Sequence, residues 1–107
     1  NDELSEDYMR RLIADLAVVF IREGVILEGI VEQLTAISPP TEAERYHELL
    51  LEYAGLRRDA SLGVGRALGN RDTEALTEAT ELNVRADLKN KEVVSEGLRV
   101  FGSTGED

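Results

Sequence analysis

Residues 38–72 read SPPTEAERYHELLLEYAGLRRDASLGVGRALGNRD, and the two ends of this segment divide the 107-residue chain into three parts. Ser38-Pro39-Pro40 ends a helix, because proline lacks an amide hydrogen and disfavours helix at the residue before it. Gly69-Asn70-Arg71 forms the second break, where Gly69 suits the left-handed position that follows a helix. All three parts have a helical apolar period, and none alternates as a strand does. The segment therefore predicts three consecutive helices.

Start and stop signals set the predicted bounds of the helices. Thr41 is a good N-cap with Glu44 three residues later, which is the pattern of a capping box, and Asp72 is a second good N-cap. The connections are short, so neighbouring helices are expected to be antiparallel. The predicted fold is all-α, an elongated up-down-up three-helix bundle within residues 1–101, followed by a flexible tail. The predicted ranges are 3–36, 41–68 and 72–101 for the helices and 102–107 for the tail.

Composition excludes several classes of function. The chain has 22 acidic and 12 basic side chains, no cysteine and one histidine, and its net charge is −10. Without cysteine it can form neither a disulfide scaffold nor a thiolate metal site. The negative charge argues against nucleic acid as a partner, and no apolar run approaches the ~20 residues of a membrane span. The sequence also has no Gly-x-Ser-x-Gly elbow, and Gly63-Val64-Gly65 does not follow a strand as a phosphate loop would, so we expect a non-enzymatic domain without a cofactor.

Helix 1 carries apolar residues on two faces. A wheel with about 100° per residue gives a broad main face, which we assign to the core. Its members are Met9, Leu12, Ile13, Leu16, Val19, Phe20, Leu27, Ile30, Leu34 and Ile37.

A second apolar stripe lies on the other side of helix 1. Ala14, Val18, Ile21 and Val25 follow the 4-3-4 spacing of a coiled-coil seam. A three-helix bundle needs only one apolar face per helix, so this stripe predicts a contact with another copy or with a protein partner. The alternative is that helix 3 wraps far enough round to cover it.

Polar residues also fall on the apolar faces. Counting through the two turns places Glu23, Arg57 and Asn83 at one level of the bundle. Tyr53 lies one turn from Arg57, and Asn90 is a further polar residue on the core face of helix 3. A buried layer of this kind fixes helix register, or it lines a polar pocket that binds a small ligand. The sequence leaves both interpretations open.

Glu44 and His47 are weak candidates for metal binding. They form Glu-x-x-His, and ferritin-like di-iron bundles use two such motifs with two further glutamates. One chain supplies one motif, so the site would require a dimer, with Glu23 or Glu28 as the additional acid. The capping box offers Glu44 a purely structural role, and we predict no metal.

From Pro39 onward the chain resembles helical-hairpin segments in extracytoplasmic domains of bacterial lipoproteins and other secreted proteins of unknown function. The shared features are a Pro-Pro pair and cap, an early histidine, a Leu-Leu pair, and a Gly-Asn turn before a second helix. Here they are Pro39, Pro40, Thr41, Glu42, His47, Leu49, Leu50, Gly69, Asn70 and Asp72, with Tyr8 near the start of the upstream helix. The resemblance implies a cell-envelope location and a non-enzymatic role, and the alternative location is the cytoplasm.

Overall fold

The protein is an all-α three-helix bundle, as the sequence predicts. The computed structural model describes residues 2–102, with side chains from residue 5 onward, and contains no strand within that range. Helix α1 spans Asp2–Ala36, α2 spans Glu44–Asn70 and α3 spans Thr73–Phe101. The predicted tail falls almost wholly outside the described residues, so its flexibility stays a prediction.

The first turn differs from the predicted capping box. A short 3₁₀ helix over Thr41–Ala43 precedes α2, and no side chain caps either helix. Pro40 has an extended backbone, and its carbonyl accepts the amide hydrogen of Ala43 at 2.9 Å. Thr41 thus already has a helical backbone, and the N-cap position belongs to Pro40, which has no side-chain acceptor. The prediction that Thr41 caps and Glu44 closes a capping box is wrong.

The second turn also shifts relative to the prediction. Helix α2 continues through Gly69, and Arg71 takes the left-handed conformation with φ 55° and ψ 40°. The Arg71 amide donates to the Leu68 carbonyl at 3.3 Å, and the Asp72 amide donates to the Ala67 carbonyl at 2.9 Å. These two bonds form a Schellman motif with arginine where glycine is usual. The Asp72 carboxylate then accepts the Ala75 amide at 3.0 Å, so the predicted N-cap of α3 is confirmed.

Helix α2 is the central element of the bundle. It packs along both α1 and α3, whereas these two outer helices make hardly any contact with each other. The described part of the molecule is elongated and measures 65 × 25 × 23 Å. Each outer helix therefore buries mainly the side that faces α2.

The core between the helices consists mostly of small side chains. Its buried apolar residues are Ala17, Ala43, Leu49, Ala54, Ala60, Val64, Ala67, Ala79, Ala86 and Val93. Glycines bring α1 and α2 closer still. A Cβ on Gly24 would lie 2.5 Å from the Leu62 side chain, and one on Gly65 would lie 2.7 Å from Ile21 and 3.0 Å from the Ala17 carbonyl oxygen.

The close contact with α2 overturns part of the predicted core face of helix 1. Ala17, Ile21 and Gly24 follow each other along the line where α2 lies, and the small residues among them allow a short distance between helix axes. The larger side chains of the predicted main face are consequently turned partly or wholly away from α2. The exposed members are Met9, Leu12, Leu16, Val19, Ile30 and Ile37.

Candidate functional site

Several large apolar side chains are exposed on the side of α1 that points away from α2. Residues two positions from Ala17 and Gly24 are turned by about 200° from the contact line. This places Val19 and Ile26, and likewise Asp15 and Arg22, on the far side of the helix. We call this surface the outward face of α1. Its large apolar members, with their exposed fractions, are Tyr8 (66%), Leu12 (39%), Val18 (48%), Val19 (55%), Val25 (62%) and Ile26 (65%).

The outward face exposes more apolar surface than an isolated helix of a monomer usually does. Together these six side chains leave on the order of 600 Å² in water, the upper end for the largest apolar patch on a typical monomer. Such patches mark surfaces that another molecule covers. The side chains follow the helix for about five turns, so the complementary shape is a second helix.

The structure divides the predicted partner stripe. Val18 and Val25 lie on the outward face, and Ala14 is also exposed. Helix α3 does not cover these three residues. Ile21 is half-buried and packs over Gly65 of α2 instead. The prediction that Ile21 belongs to the outer stripe is therefore wrong.

Sequence reasoning misses Val19 and Ile26 as members of this surface. Size and hydropathy alone rank Val19 above Ala17 as a core residue, and the structure reverses that order. The signal that could correct the assignment is the spacing of Ala17 and Gly24, seven residues apart on one side of the helix. Small residues repeated at seven-residue intervals indicate a close helix–helix contact, which here identifies the inner side.

Arg57 joins the three helices at mid-height. Its Nη1 donates to Oδ1 of Asn83 at 3.1 Å, and its Nη2 donates to Oε1 of Glu23 at 3.4 Å. The predicted grouping of these residues at one level is present. The layer is not buried, however, because the side chains of Arg57 and Glu23 remain 32% and 41% exposed. The outer helices α1 and α3 lie apart, so water reaches the layer from one side.

The remaining members of the predicted polar layer take no part in it. Tyr53 is half-buried, and its hydroxyl forms no hydrogen bond within the described part of the chain. Asn90 is exposed on α3, so its predicted placement in the core is wrong. The arrangement favours the interpretation that Arg57 sets helix register over that of an enclosed ligand pocket.

Two further ionic clusters link α2 to its neighbours. Arg58 contacts Asp59 and Glu28 of α1, both at 2.9 Å, and these carboxylates raise the pKa of Arg58, Asp59 the most. Lys89 of α3 lies 2.9 Å from both Glu52 and Glu92, which raise the pKa of Lys89. Water screens both clusters, so they contribute to orientation more than to stability.

Glu44 and His47, the candidate metal ligands, have different surroundings in the structure. Nε2 of His47 lies 2.7 Å from the carbonyl oxygen of Leu34, near the end of α1. Glu44 is exposed in the first turn of α2. Within the described residues no group of three or more histidine, aspartate or glutamate side chains could hold a metal ion. His47 instead satisfies a carbonyl at a helix end, where unpaired carbonyl groups accumulate.

A cavity of about 640 Å³ lies at the end of the bundle where α2 passes into α3. Met9, Ile13, Leu68 and Leu76 supply large apolar side chains to its lining, which comes from all three helices. The polar layer of Glu23, Arg57 and Asn83 does not contribute to it. The cavity is open to solvent and is not enclosed by the helices.

Comparison of the chain with protein-family models, curated proteins and solved structures gave no match. The resemblance to extracytoplasmic helical domains and the location it implies therefore stay predictions. None of the helices, over the part of the chain that is described, is long and apolar enough to cross a membrane.

Proposed function

We propose that the protein is a non-enzymatic helical interaction domain that associates through the outward face of α1, with another copy or with another helical protein. The observation that carries the proposal is the inversion of side-chain size across α1. Small residues fill the contact with α2, while valine, isoleucine and leucine remain in water. Covering those side chains would recover the hydrophobic free energy that the monomer leaves unused.

The proposal is tested by placing charges on the outward face. The double substitution Val18→Glu with Val19→Glu would bury two carboxylates in any helix–helix contact there, which costs several kcal/mol without partners. We expect the wild type to associate with rising concentration in light scattering coupled to size exclusion, and the double variant to remain monomeric. Circular dichroism should show equal helicity, because both positions are exposed in the monomer.

A matched control uses the exposed apolar surface of α3. Leu88 is 57% exposed and lies on a different helix, so Leu88→Glu changes hydropathy and charge without touching α1. This variant should associate like the wild type. Association that survives the α1 double substitution contradicts the proposal, and a wild type that stays monomeric at every concentration excludes self-association and leaves only a different helical partner.

The cavity supports a second candidate function, the binding of a small apolar ligand. Its volume lies within the ~300–1,000 Å³ range of ligand pockets, and large apolar side chains line it. A fluorescent naphthalene sulfonate dye serves as the probe, with Leu76→Trp filling the cavity and Leu88→Trp as the control. Dye binding lost only in Leu76→Trp supports this candidate, and equal binding by both variants rejects it.

A further inference from the structure

Three charged residues lie along the middle of the outward face, namely Arg11, Asp15 and Arg22. Asp15 and Arg22 are seven residues apart, so they share one side of α1 at an axial distance of about 10 Å. Both are exposed, and neither forms an ion pair or side-chain hydrogen bond within residues 5–102. Apolar side chains flank them on both sides. An unpaired acid and an unpaired base inside an apolar surface indicate a partner that presents the same two charges in reverse order.

A second copy of α1 presents that order when it runs antiparallel. We infer that the partner of the outward face is another copy of this chain, related by a twofold axis that passes between the two α1 helices at the level of Val18 and Val19. This inference rests on the proposed function and specifies its partner. At each level of this pair, the numbers of the two residues that lie opposite one another add up to 37. Asp15 then faces Arg22 of the second copy, and the same pair forms again on the other side of the axis.

The same axis places valines at the centre of the contact. Val18 and Val19 of the two copies surround the axis, and Ile26 reaches the level of Arg11 of the second copy, whose long side chain can cover it. Tyr8 falls opposite Gly29, where a Cβ added to the glycine would meet no atom within 4 Å and the helix surface is open. An aromatic ring therefore meets the one position on this side where the helix has no side chain.

Charge also selects against the parallel arrangement. Parallel helices in register would place Asp15 against Asp15 and Arg22 against Arg22, and like charges in contact are destabilising. The antiparallel arrangement converts the same residues into two ion pairs. Specificity for orientation thus follows from two side chains that the monomer leaves without partners.

The local charge and the available area fit a second copy. Residues 8–29 carry three basic and three acidic side chains, so this part of α1 is neutral although the chain has a charge of −10. Two copies can approach here with the least repulsion. Burying on the order of 600 Å² on each copy gives a total near the lower end of the ~1,200–2,000 Å² of stable interfaces.

Charge reversal tests the pairing without removing apolar surface. Asp15→Arg and Arg22→Glu each place like charges opposite one another, and each should raise the dimer dissociation constant at least ~10-fold. The variant with both substitutions should return to within about threefold of the wild type. An equimolar mixture of the two single variants should form a heterodimer, because each supplies the charges that the other lacks. Asp87→Arg on α3 is the control, with the same change of charge at an exposed position.

Cysteine cross-linking tests the orientation directly. The natural chain has no cysteine, so single substitutions are unambiguous. Val18→Cys lies beside the axis, and its two copies should form a disulfide under mild oxidation. The two copies of Val25→Cys are separated by thirteen residues along the helices, about 20 Å, too far for a disulfide. A parallel pair would cross-link at both positions.

The outcomes separate this inference from the proposed function. Association that Val18→Glu with Val19→Glu abolishes but charge reversal leaves unchanged overturns the antiparallel pair and preserves the interaction face. Cross-linking at both cysteine positions, or at neither, also overturns the pair. If the apolar-to-glutamate substitutions on α1 leave association unchanged, the proposed function itself is overturned. A chain that remains monomeric at all concentrations overturns the antiparallel pair, and the proposed function then depends on a different helical partner.

Discussion

On its inner side α1 meets α2 through Ala17 and Gly24, whereas two positions further on Val19 and Ile26 are more than half exposed. Hydropathy alone would place the valine and isoleucine inside. The small residues are inside because they allow the two helices to approach until backbone atoms come close to side chains, as Gly65 and the Ala17 carbonyl show. The buried side of a helix is thus the side that packs best, and large apolar residues left over become available to a partner.

The largest difference in the free energy of unfolding should appear when a glutamate is placed on the inner face of α1 in one variant and on the outward face in another. Ala17→Glu would force a long side chain and a carboxylate into the contact with α2, which should lower the free energy of unfolding by about 3 kcal/mol or more. Val18→Glu, one residue away, should change it by less than ~0.5 kcal/mol at concentrations where the protein is monomeric. Urea unfolding of both variants is the measurement. Similar losses in the two variants would show that the faces do not differ as described.

Glycine-to-alanine substitutions should change the stability in opposite directions at the contact between α1 and α2 and on the outward face of α1. Gly65→Ala should destabilise by about 1–3 kcal/mol, because the added Cβ would meet Ile21 and the Ala17 carbonyl. Gly29→Ala should stabilise by about 0.5–1 kcal/mol, because its Cβ meets nothing and alanine favours helix. Thermal unfolding of dilute protein compares the two. A loss of stability at Gly29 would contradict the assignment of that position to open surface.

The difference between the two faces of α1 also explains which features of the structure could be predicted from the sequence. Helix number and order followed from Pro39-Pro40, Asp72 and the apolar period, because these signals act locally, whereas the ends of the helices at the first and second turns differ from the prediction. The level shared by Glu23, Arg57 and Asn83 followed from counting through the turns. The exposure of that layer and the outward position of Val19 did not follow, because both depend on the distance between helix axes. Contacts such as those at Gly24 and Gly65 determine that distance.

Arg57 occupies the border between the packed interior and the open surface. Arg57→Met keeps most of the side-chain volume and removes the bonds to Glu23 and Asn83. We expect a loss of about 1 kcal/mol, because Glu23 stays hydrated, whereas a buried pair would lose roughly 3–5 kcal/mol. The loss should shrink as salt is added, since exposed charges are screened. Arg66→Met, at an exposed position of the same helix, is the control and should be nearly neutral.

The turn after α2 lies outside both faces of α1. A substitution there should change stability without changing association. Arg71 holds a left-handed conformation that glycine adopts without cost. Arg71→Gly should therefore stabilise the fold by about 0.5–1 kcal/mol while leaving association through α1 unchanged. Unfolding curves and light scattering of the same samples would show both. A loss of stability would mean that the arginine side chain contributes more than its backbone conformation costs.

The smallest effect concerns a pair far from the outward face of α1. Arg99 donates two hydrogen bonds to the carboxylate of Glu96 one turn earlier, and this contact lowers the pKa of Glu96. A carboxyl with a lowered folded-state pKa contributes stability above its unfolded-state pKa, and this contribution is lost as the pH falls through the folded value. In Arg99→Met the pKa of Glu96, followed by NMR, should rise towards its ordinary value. The unfolding curves of the variant and the wild type should then converge at acidic pH. Because the pair lies on α3, association through α1 should be the same in both proteins at neutral pH, and a change in association would extend the contact surface beyond the outward face.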